Sequence, residues 1–330
     1  MVYTAPLMTK PIDVALFGAA GYTGLELLKL LAVHPHVRLR CAASDTHAGK
    51  PIGELTGRDH DGLGFVTTAA AHTIAASCQV ALLAVPPEAA RTLVPALREL
   101  RVIDLSNAYR DDAQAVYGLA SWSAEAIAKA QLVANPGCYA TAAITAAAPL
   151  VRHGLVDGDL YVAAGSGVTG AGKSASEAMS LGELYGDVRA YKVLRHQHVP
   201  EIEAALARLA VPARVVLTTH LLPIARGIFA TLTARLAQPH GAETLVERFR
   251  ADYAADPTVT VLPSPEDVTL RRVVGTNQVL LGVGSDKRTV VVTAAIDNLL
   301  KGAAGQAIEN LNLMFGFPRI AGLTHLARSA

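Results

Sequence analysis

The sequence predicts an α/β protein in two parts. The first is an N-terminal doubly wound parallel sheet, and the second is an α+β domain with a mainly antiparallel sheet. Three observations carry this. From Ile12 to Ala134, short apolar runs alternate with amphipathic stretches, the order that builds parallel βαβ units. Glycines 18, 21 and 24 lie between the first apolar run and the first amphipathic stretch. From about Asp159, strand-like segments come closer together, several with period-two alternation, as in hairpin-linked antiparallel sheets.

The first strand is expected over Ile12 to Phe17, followed by GAAGYTG and a helix bearing Glu26, Leu27, Leu28, Leu30 and Leu31 that ends near His34 and Pro35. A second strand, Val37 to Ser44, completes a Rossmann-type unit, which binds a dinucleotide pyrophosphate at the helix N-terminus. Bare backbone lets phosphates approach, so Gly18, Ala20, Gly21, Tyr22, Thr23 and Gly24 are candidate cofactor contacts. At the end of the second strand, Ser44 and Lys50 suit the 2′-phosphate of NADP, whereas Asp45 suits the ribose of NAD. The balance leans to NADP, although Lys50 also reads as an ordinary solvated lysine.

A third strand, Val80 to Val85, is closed by Pro86 and Pro87, and a helix spans Glu88 to Leu100. The next strand, Arg101 to Leu105, ends in SNAYRDD, and a short one, Leu132 to Ala134, runs into Asn135, Pro136 and Gly137. Ligands of such sheets bind at the carboxyl ends of the strands. Arg110 therefore reads either as an anion anchor or as a surface partner of Asp111 or Asp112.

Asn135, Pro136 and Gly137 force a bend, and the alanine-rich run from Tyr139 to Ala148 is good helix composition, with Pro149 a stop. Cys138 then sits at the positive end of a helix, where a thiol ionises more readily and the thiolate is a nucleophile. The plainer alternative is a small apolar filler.

In the second half, strands are expected over Leu160 to Ala164, Arg214 to Thr219, Ile228 to Arg235, Val279 to Val283 and Thr289 to Ala295. Helices are expected over Pro200 to Leu209, Glu243 to Tyr253 and Asn298 to Met314. The last is expected to return to the first domain, giving domains of 1–137 with 299–330 and of 138–298. Gly165 to Lys173 resembles a P-loop only loosely and reads as a flexible loop over the active site. His196 and His198 precede a helix, and His220 ends a strand; each is a candidate acid/base for Cys138 chemistry. No second cluster at ligand spacing supports a metal.

The chain has 330 residues, 51% hydrophobic and 17% charged, with a formal net charge of +1. That allows a large core in two domains and provides no general field for nucleic acid or anionic membrane. There are no runs of five like charges and no alternation of aromatic and basic residues. Cysteines 41, 78 and 138 are too far apart for a disulfide framework and suit a reducing cytoplasm. The uncharged run from Ala130 to Val151 is cut by Asn-Pro-Gly, leaving too few residues for a membrane span, and the N-terminus shows no targeting pattern. The apolar content and second sheet favour a homo-oligomer, dimer or tetramer.

A nicotinamide site and a nucleophilic cysteine on one rim have an economical joint use. The thiolate attacks an activated acyl group, and hydride reduces the resulting thioester to an aldehyde. GAAGYTG, SDTHAGK, VIDLSNAYR, ANPGCYAT, GSGVTGAGK, HQHVPEI, HLLPIARGI and DNLLKGAAGQA together resemble the N-acetyl-gamma-glutamyl-phosphate reductases, in the aspartate-semialdehyde dehydrogenase superfamily. The likeness runs from Val14 to about Pro318. It implies NADPH-dependent reduction of N-acetyl-glutamyl 5-phosphate to the semialdehyde and phosphate, a step of arginine biosynthesis. By the same resemblance the nucleophile falls on Cys138 and the acid/base on His198 or His196, with His198 favoured. Arg110 and Ser106 would meet the acyl phosphate, Gly18 to Gly24 with Ser44 and Lys50 the NADP, and Asn298 with the small residues after Lys301 the nicotinamide. The chain departs from the family pattern at Val85-Pro86-Pro87, at DLSNAYR and at Gly118-Leu119-Ala120-Ser121. Related reductases act on aminoadipyl or aspartyl phosphates, and a non-catalytic NADP sensor is the rival from another class.

Overall fold

Six parallel pairings link the seven strands of the first sheet. In this computed structural model, which describes residues 10–58, 60–173, 181–210 and 212–323, the chain divides at 136/137 and again at 302/303 into two compact units. The first nine residues and those beyond 323, which the expected domain bounds and the targeting reading included, lie outside the described residues.

The first unit begins with β1 (Ile12–Phe17), α1 (Tyr22–Leu31) and β2 (Val37–Ala43). It continues through α2 (Gly53–Thr56), β3 (Phe65–Val66), α3 (Thr68–Ala75), β4 (Val80–Leu83), α4 (Pro87–Ala96) and β5 (Arg101–Asp104). After β6 (Val116–Tyr117) and α5 (Ala120–Lys129), β7 (Leu132–Ala134) ends its sheet. The strand order is β3-β2-β1-β4-β5-β7-β6, so the order reverses beside β1 as in doubly wound sheets. β4 is buried along its whole length, as a central parallel strand covered on both faces must be. The turn after β1 needs its glycines for close approach. Gly18 has φ +74° and a Cβ there would lie 2.2 Å from the Ala84 carbonyl oxygen, while a Cβ on Gly24 would lie 2.3 Å from that of Gly18. The two-residue edge strands β3 and β6 are too short to show a period in the sequence.

The second unit carries α6 (Cys138–Arg152), β8 (Val156–Ser166), α7 (Leu181–Leu184), β9 (Arg189–Tyr191) and α8 (His198–Ala207). It goes on through β10 (Val215–Leu221), β11 (Ile228–Gly241), α9 (Ala242–Asp252), β12 (Val259–Leu262) and β13 (Val279–Ile296). The sheet order is β12-β13-β11-β8-β10-β9, with three antiparallel and two parallel pairings. Strict alternation in β11 turns Ile228, Ala230, Leu232, Ala234 and Leu236 into the core. Helices α6, α8 and α9 pack on strands of this sheet.

Four expectations change. The helix after Cys138 does not stop at Ala148 but runs through Pro149 to Arg152. Proline has no N–H for the carbonyl four residues earlier, and that carbonyl, on Thr145, instead accepts the Tyr253 hydroxyl at 2.6 Å. The segments Val279 to Val283 and Thr289 to Ala295 are one strand, β13, whose first part pairs with β12 and whose second part pairs with β11. Gly165 to Lys173 is no loose lid up to its third-last residue. Val168 N–H donates to the Ile224 carbonyl (3.0 Å) and Thr169 Oγ1 donates to that of Ala225 (2.7 Å). The final helix starts later than Asn298, with a π-helical turn over Leu300–Ala304 and then α10 (Gly305–Phe315). Asp297 drives this, because its carboxylate accepts the N–H groups of Leu299 (2.8 Å) and Leu300 (3.0 Å) and the chain then bends through Gly302. In the first unit α10 packs on α5, and its Asn312 Oδ1 meets His34 Nε2 at 2.8 Å.

Candidate active site

In the second unit, Cys138 is the first residue of the fifteen-residue helix α6, with Gly137 as its N-cap and no side chain capping it. The Gly137 N–H instead donates to Glu201 Oε1 at 2.8 Å. Glu201 is buried in the first turn of α8, three residues after His198, whose Nε2 stands 4.0 Å from Glu201 Oε2. One carboxylate therefore touches the cysteine turn and faces a histidine. A Cβ on Gly302 would lie 2.8 Å from that of Cys138, so glycine lets the π-helical turn press against the cysteine.

Aromatic rings close around this point. Tyr139 meets His196 edge-on with ring centres 5.2 Å apart, and His196 and His198 are 4.8 Å apart. Tyr191 donates its hydroxyl to that of Tyr139 at 3.0 Å, and Tyr139 donates to the His220 carbonyl at 3.2 Å. Burial pushes both phenols up, Tyr191 to about 12, with the nearby Cys138 adding to the effect in each. Both tyrosines are neutral hydrogen-bonding groups throughout the neutral range.

The two histidines differ. His196 Nδ1 accepts the His198 N–H at 3.2 Å, so its hydrogen is assigned to Nε2. Burial first and Lys192 second pull its pKa to about 4, so it is uncharged near pH 7. His196 thus fixes the start of α8, and His198 is the histidine facing a carboxylate. His220 enters the cluster through its carbonyl. Asn298, expected beside the cofactor, has its amide engaged inside the second unit: Oδ1 accepts the Gly227 N–H (2.7 Å) and Nδ2 donates to Thr169 Oγ1 (3.0 Å).

In the first unit, the second glycine of the turn behaves unlike its neighbours. A Cβ on Gly21 would meet only the Gly18 carbonyl oxygen, at 3.6 Å, and its φ is negative. The fold does not require glycine there, and α1 has no side-chain cap, an arrangement that suits a phosphate at the helix start. The residues fit a dinucleotide. After β2, Ser44 Oγ (3.2 Å) and Thr46 Oγ1 (2.9 Å) both lie on His47 Nδ1, and Lys50 is exposed. The Asp45 carboxylate accepts both the N–H and the hydroxyl of Thr68 at 2.8 Å. Those bonds hold its carboxyl below the ordinary aspartate range.

Ser106 Oγ donates to the buried Asp104 at 2.8 Å and accepts the Ala108 N–H at 3.0 Å. Arg110 is buried too, with Nε on the Asn135 carbonyl (2.9 Å) and Nη2 on that of Leu105 (3.1 Å). Two of the five guanidinium donors thus orient its plane against the turn that precedes Cys138. Glu201 and Tyr191 carried no role in the sequence reading, and Gly302, expected among the small residues beside the nicotinamide, packs against Cys138. The only local signal was the His198 and Glu201 spacing of three at a helix start, which puts both on one face. Among the described residues no cluster of side chains could hold a metal ion, and no helix is long and apolar enough to cross a membrane.

A glycine-turn dinucleotide domain joined to a mixed-sheet domain that opens on a helix-terminal cysteine defines the semialdehyde dehydrogenase class of nicotinamide oxidoreductases. Two family profiles agree: residues 13–130 match "Semialdehyde dehydrogenase, NAD binding domain" and residues 138–298 match "Semialdehyde dehydrogenase, dimerisation domain". The aspartate semialdehyde dehydrogenase II of Vibrio cholerae, solved as a complex with ASA, shares the fold at a TM-score of 0.76 and 19% identity, over 93% of this chain and 99% of that one. N-acetyl-gamma-glutamyl-phosphate reductases are nearer in sequence. That of Geobacillus sp. is 38% identical over 94% of this chain and 98% of its own, and that of Acidithiobacillus ferrooxidans is 40% identical over 96% and 99%. The chain belongs to the N-acetyl-gamma-glutamyl-phosphate reductase family.

Proposed function

We propose that this chain reduces N-acetyl-L-glutamyl 5-phosphate to N-acetyl-L-glutamate 5-semialdehyde, with NADPH as reductant and a thioester on Cys138 as intermediate. The observation that carries the reading is Cys138 at the head of α6, with one carboxylate, Glu201, bonded to its N-cap and facing His198. The Cys138 thiolate attacks the acyl carbon, the carbon–oxygen bond to phosphate breaks, and phosphate leaves with the electron pair. When bound, the reduced nicotinamide supplies the hydride for the thioester carbon. His198 takes the thiol proton before attack and returns a proton to the acyl oxygen after reduction, and Glu201 is its counter-charge while it is protonated. Collapse of the thiohemiacetal releases aldehyde and restores Cys138. His196 and Tyr139 hold the start of α8 and the first turn of α6 in place. Arg110 and Ser106 are proposed to face the phosphoryl group.

The NADP preference is proposed on Asp45, since a carboxylate held by Thr68 leaves Ser44 and the exposed Lys50 for the 2′-phosphate. The test is the reverse reaction: protein, phosphate and N-acetyl-glutamate semialdehyde with NADP or NAD, followed by nicotinamide absorbance. Faster reduction of NADP than of NAD is expected. Turnover only with the aminoadipyl or aspartyl homologue would move the substrate, and none with any of the three would leave a cofactor-binding protein without this activity.

A second copy of the chain is the proposed partner of the second sheet. The face opposite the helices presents Tyr161, 54% exposed, beside Thr233 and Val216 in register, with Val291 next to Thr233. The family profile over this region is described as a dimerisation domain. Sedimentation at twice the 34.4 kDa chain mass or more is expected, with Tyr161→Glu shifting the protein to monomer. A monomeric parent protein would exclude this.

A further inference from the structure

We propose that Asn310, in the C-terminal helix α10, is a positioning residue for the nucleophile, acting through Asn135 on the turn that ends in Cys138. The inference rests on Cys138 being that nucleophile. Asn310 and Asn135 lie 175 residues apart in sequence and are both buried, and Asn310 Nδ2 donates to Asn135 Oδ1 at 3.0 Å. The other end of the Asn310 amide accepts Gln306 Nε2, one helical turn back, at 3.3 Å. Asn135 is held on every side. Its Nδ2 donates to the Ala303 carbonyl at 3.2 Å, its N–H to that of Asp104 at 2.7 Å, and its own carbonyl accepts Arg110 Nε.

The Asn310 amide has little room to move. A Cβ on Gly118 would lie 2.5 Å from Asn310 Nδ2 and 2.6 Å from Val133, so the chain between β6 and α5 closes directly over it. Pro136 then fixes one of the few soft dihedrals between Asn135 and Cys138. A displaced Asn135 therefore passes its error on to the sulfur with little to absorb it. A buried amide is costly unless bonded, and leucine would fill the same space, so packing alone gives no reason for asparagine at 310.

The experiment compares Asn310→Leu and Asn310→Asp with the parent enzyme in the semialdehyde assay. Asn310→Leu is expected to lower kcat about 10- to 100-fold, the scale of a small misplacement of a reacting group, with NADPH affinity close to the parent's and Tm lowered by only a few degrees, because Asn135 Oδ1 and Gln306 Nε2 each lose a buried partner. Asn310→Asp keeps the shape and the acceptor for Gln306 but sets a carboxylate oxygen against Asn135 Oδ1. Protonation restores a donor there, so its kcat should recover as pH falls, a limb absent from the parent. The charged groups around this point, Asp104 and Arg110 near β5 and the Glu309–Arg319 pair, are common to both proteins, so the difference profile isolates position 310. Parent-like kcat in folded Asn310→Leu, or a parent-like pH profile in Asn310→Asp, overturns the proposal. Should Asn310→Leu not fold, the near-isosteric Asn310→Asp carries the test. If the parent shows no turnover, the functional reading fails by itself; the rate of iodoacetamide alkylation at Cys138 then decides, and an unchanged rate in both variants overturns the positioning role.

Discussion

Cys138→Ala is expected to lower kcat by on the order of 10⁴-fold or more while NADPH still binds with the parent's affinity. The size follows from the role, since without the sulfur no thioester forms and hydride has no activated acyl group to meet. The fold should tolerate the change. Alanine is the best helix former at the head of α6, and the close contact with Gly302 involves the Cβ, which alanine keeps. Cofactor affinity should hold because the glycine turn, Ser44 and Lys50 belong to the other compact unit. Two measurements check this: nicotinamide absorbance in the semialdehyde assay and fluorescence titration with NADPH. A third isolates the sulfur. Burial pushes the thiols of Cys41 and Cys78 up to about 11, so neither is a thiolate at neutral pH. Iodoacetamide should therefore inactivate the parent with one label per chain, on Cys138. Inactivation that tracks labelling at Cys41 or Cys78, or turnover by Cys138→Ala within tenfold of the parent, ends the thioester mechanism.

The features legible in the sequence are those whose cause is local. Gly18 must be glycine because its own φ is positive and β4 is close, and the GAAGYTG turn announces that within seven residues. The bend before Cys138 is equally local, since Asn135, Pro136 and Gly137 cannot extend β7. What escaped depends on distant partners. Pro149 reads as a helix stop until Tyr253, 108 residues from Thr145, supplies that carbonyl with the donor that proline removes. Asp45, which in sequence suits the ribose of NAD, accepts from Thr68 with both its oxygens, a bond across 23 residues. Glu201 reaches the cysteine turn across 64 residues and Asn310 reaches Asn135 across 175, and no periodicity records either bond. Motif resemblance reached the family because it samples the whole chain at once. It favoured His198, whereas the residues alone left the three histidines open, and the bond from the His198 N–H to His196 Nδ1 supports the proposed ranking.

That ranking has a kinetic consequence. His198→Asn is expected to lower kcat about 10²- to 10⁴-fold, the usual worth of a general acid/base, and to remove the limb of the pH profile that His198 shares with Cys138. His196→Asn should cost only about five- to tenfold, near the worth of one hydrogen bond, because an amide oxygen can still accept the His198 N–H and His196 is uncharged near pH 7. Acid conditions need a stability control, and its sign is set. His196 titrates near 6.5 when unfolded and about 4 when folded, so between those values the unfolded chain binds more protons. The stability His196 contributes is complete above pH 6.5 and is lost as pH falls toward 4, and circular dichroism at each pH separates that loss from chemistry. Equal losses in the two variants would return the acid/base assignment to the pair as a whole. A larger loss in His196→Asn, with the protein folded, would transfer the role to His196.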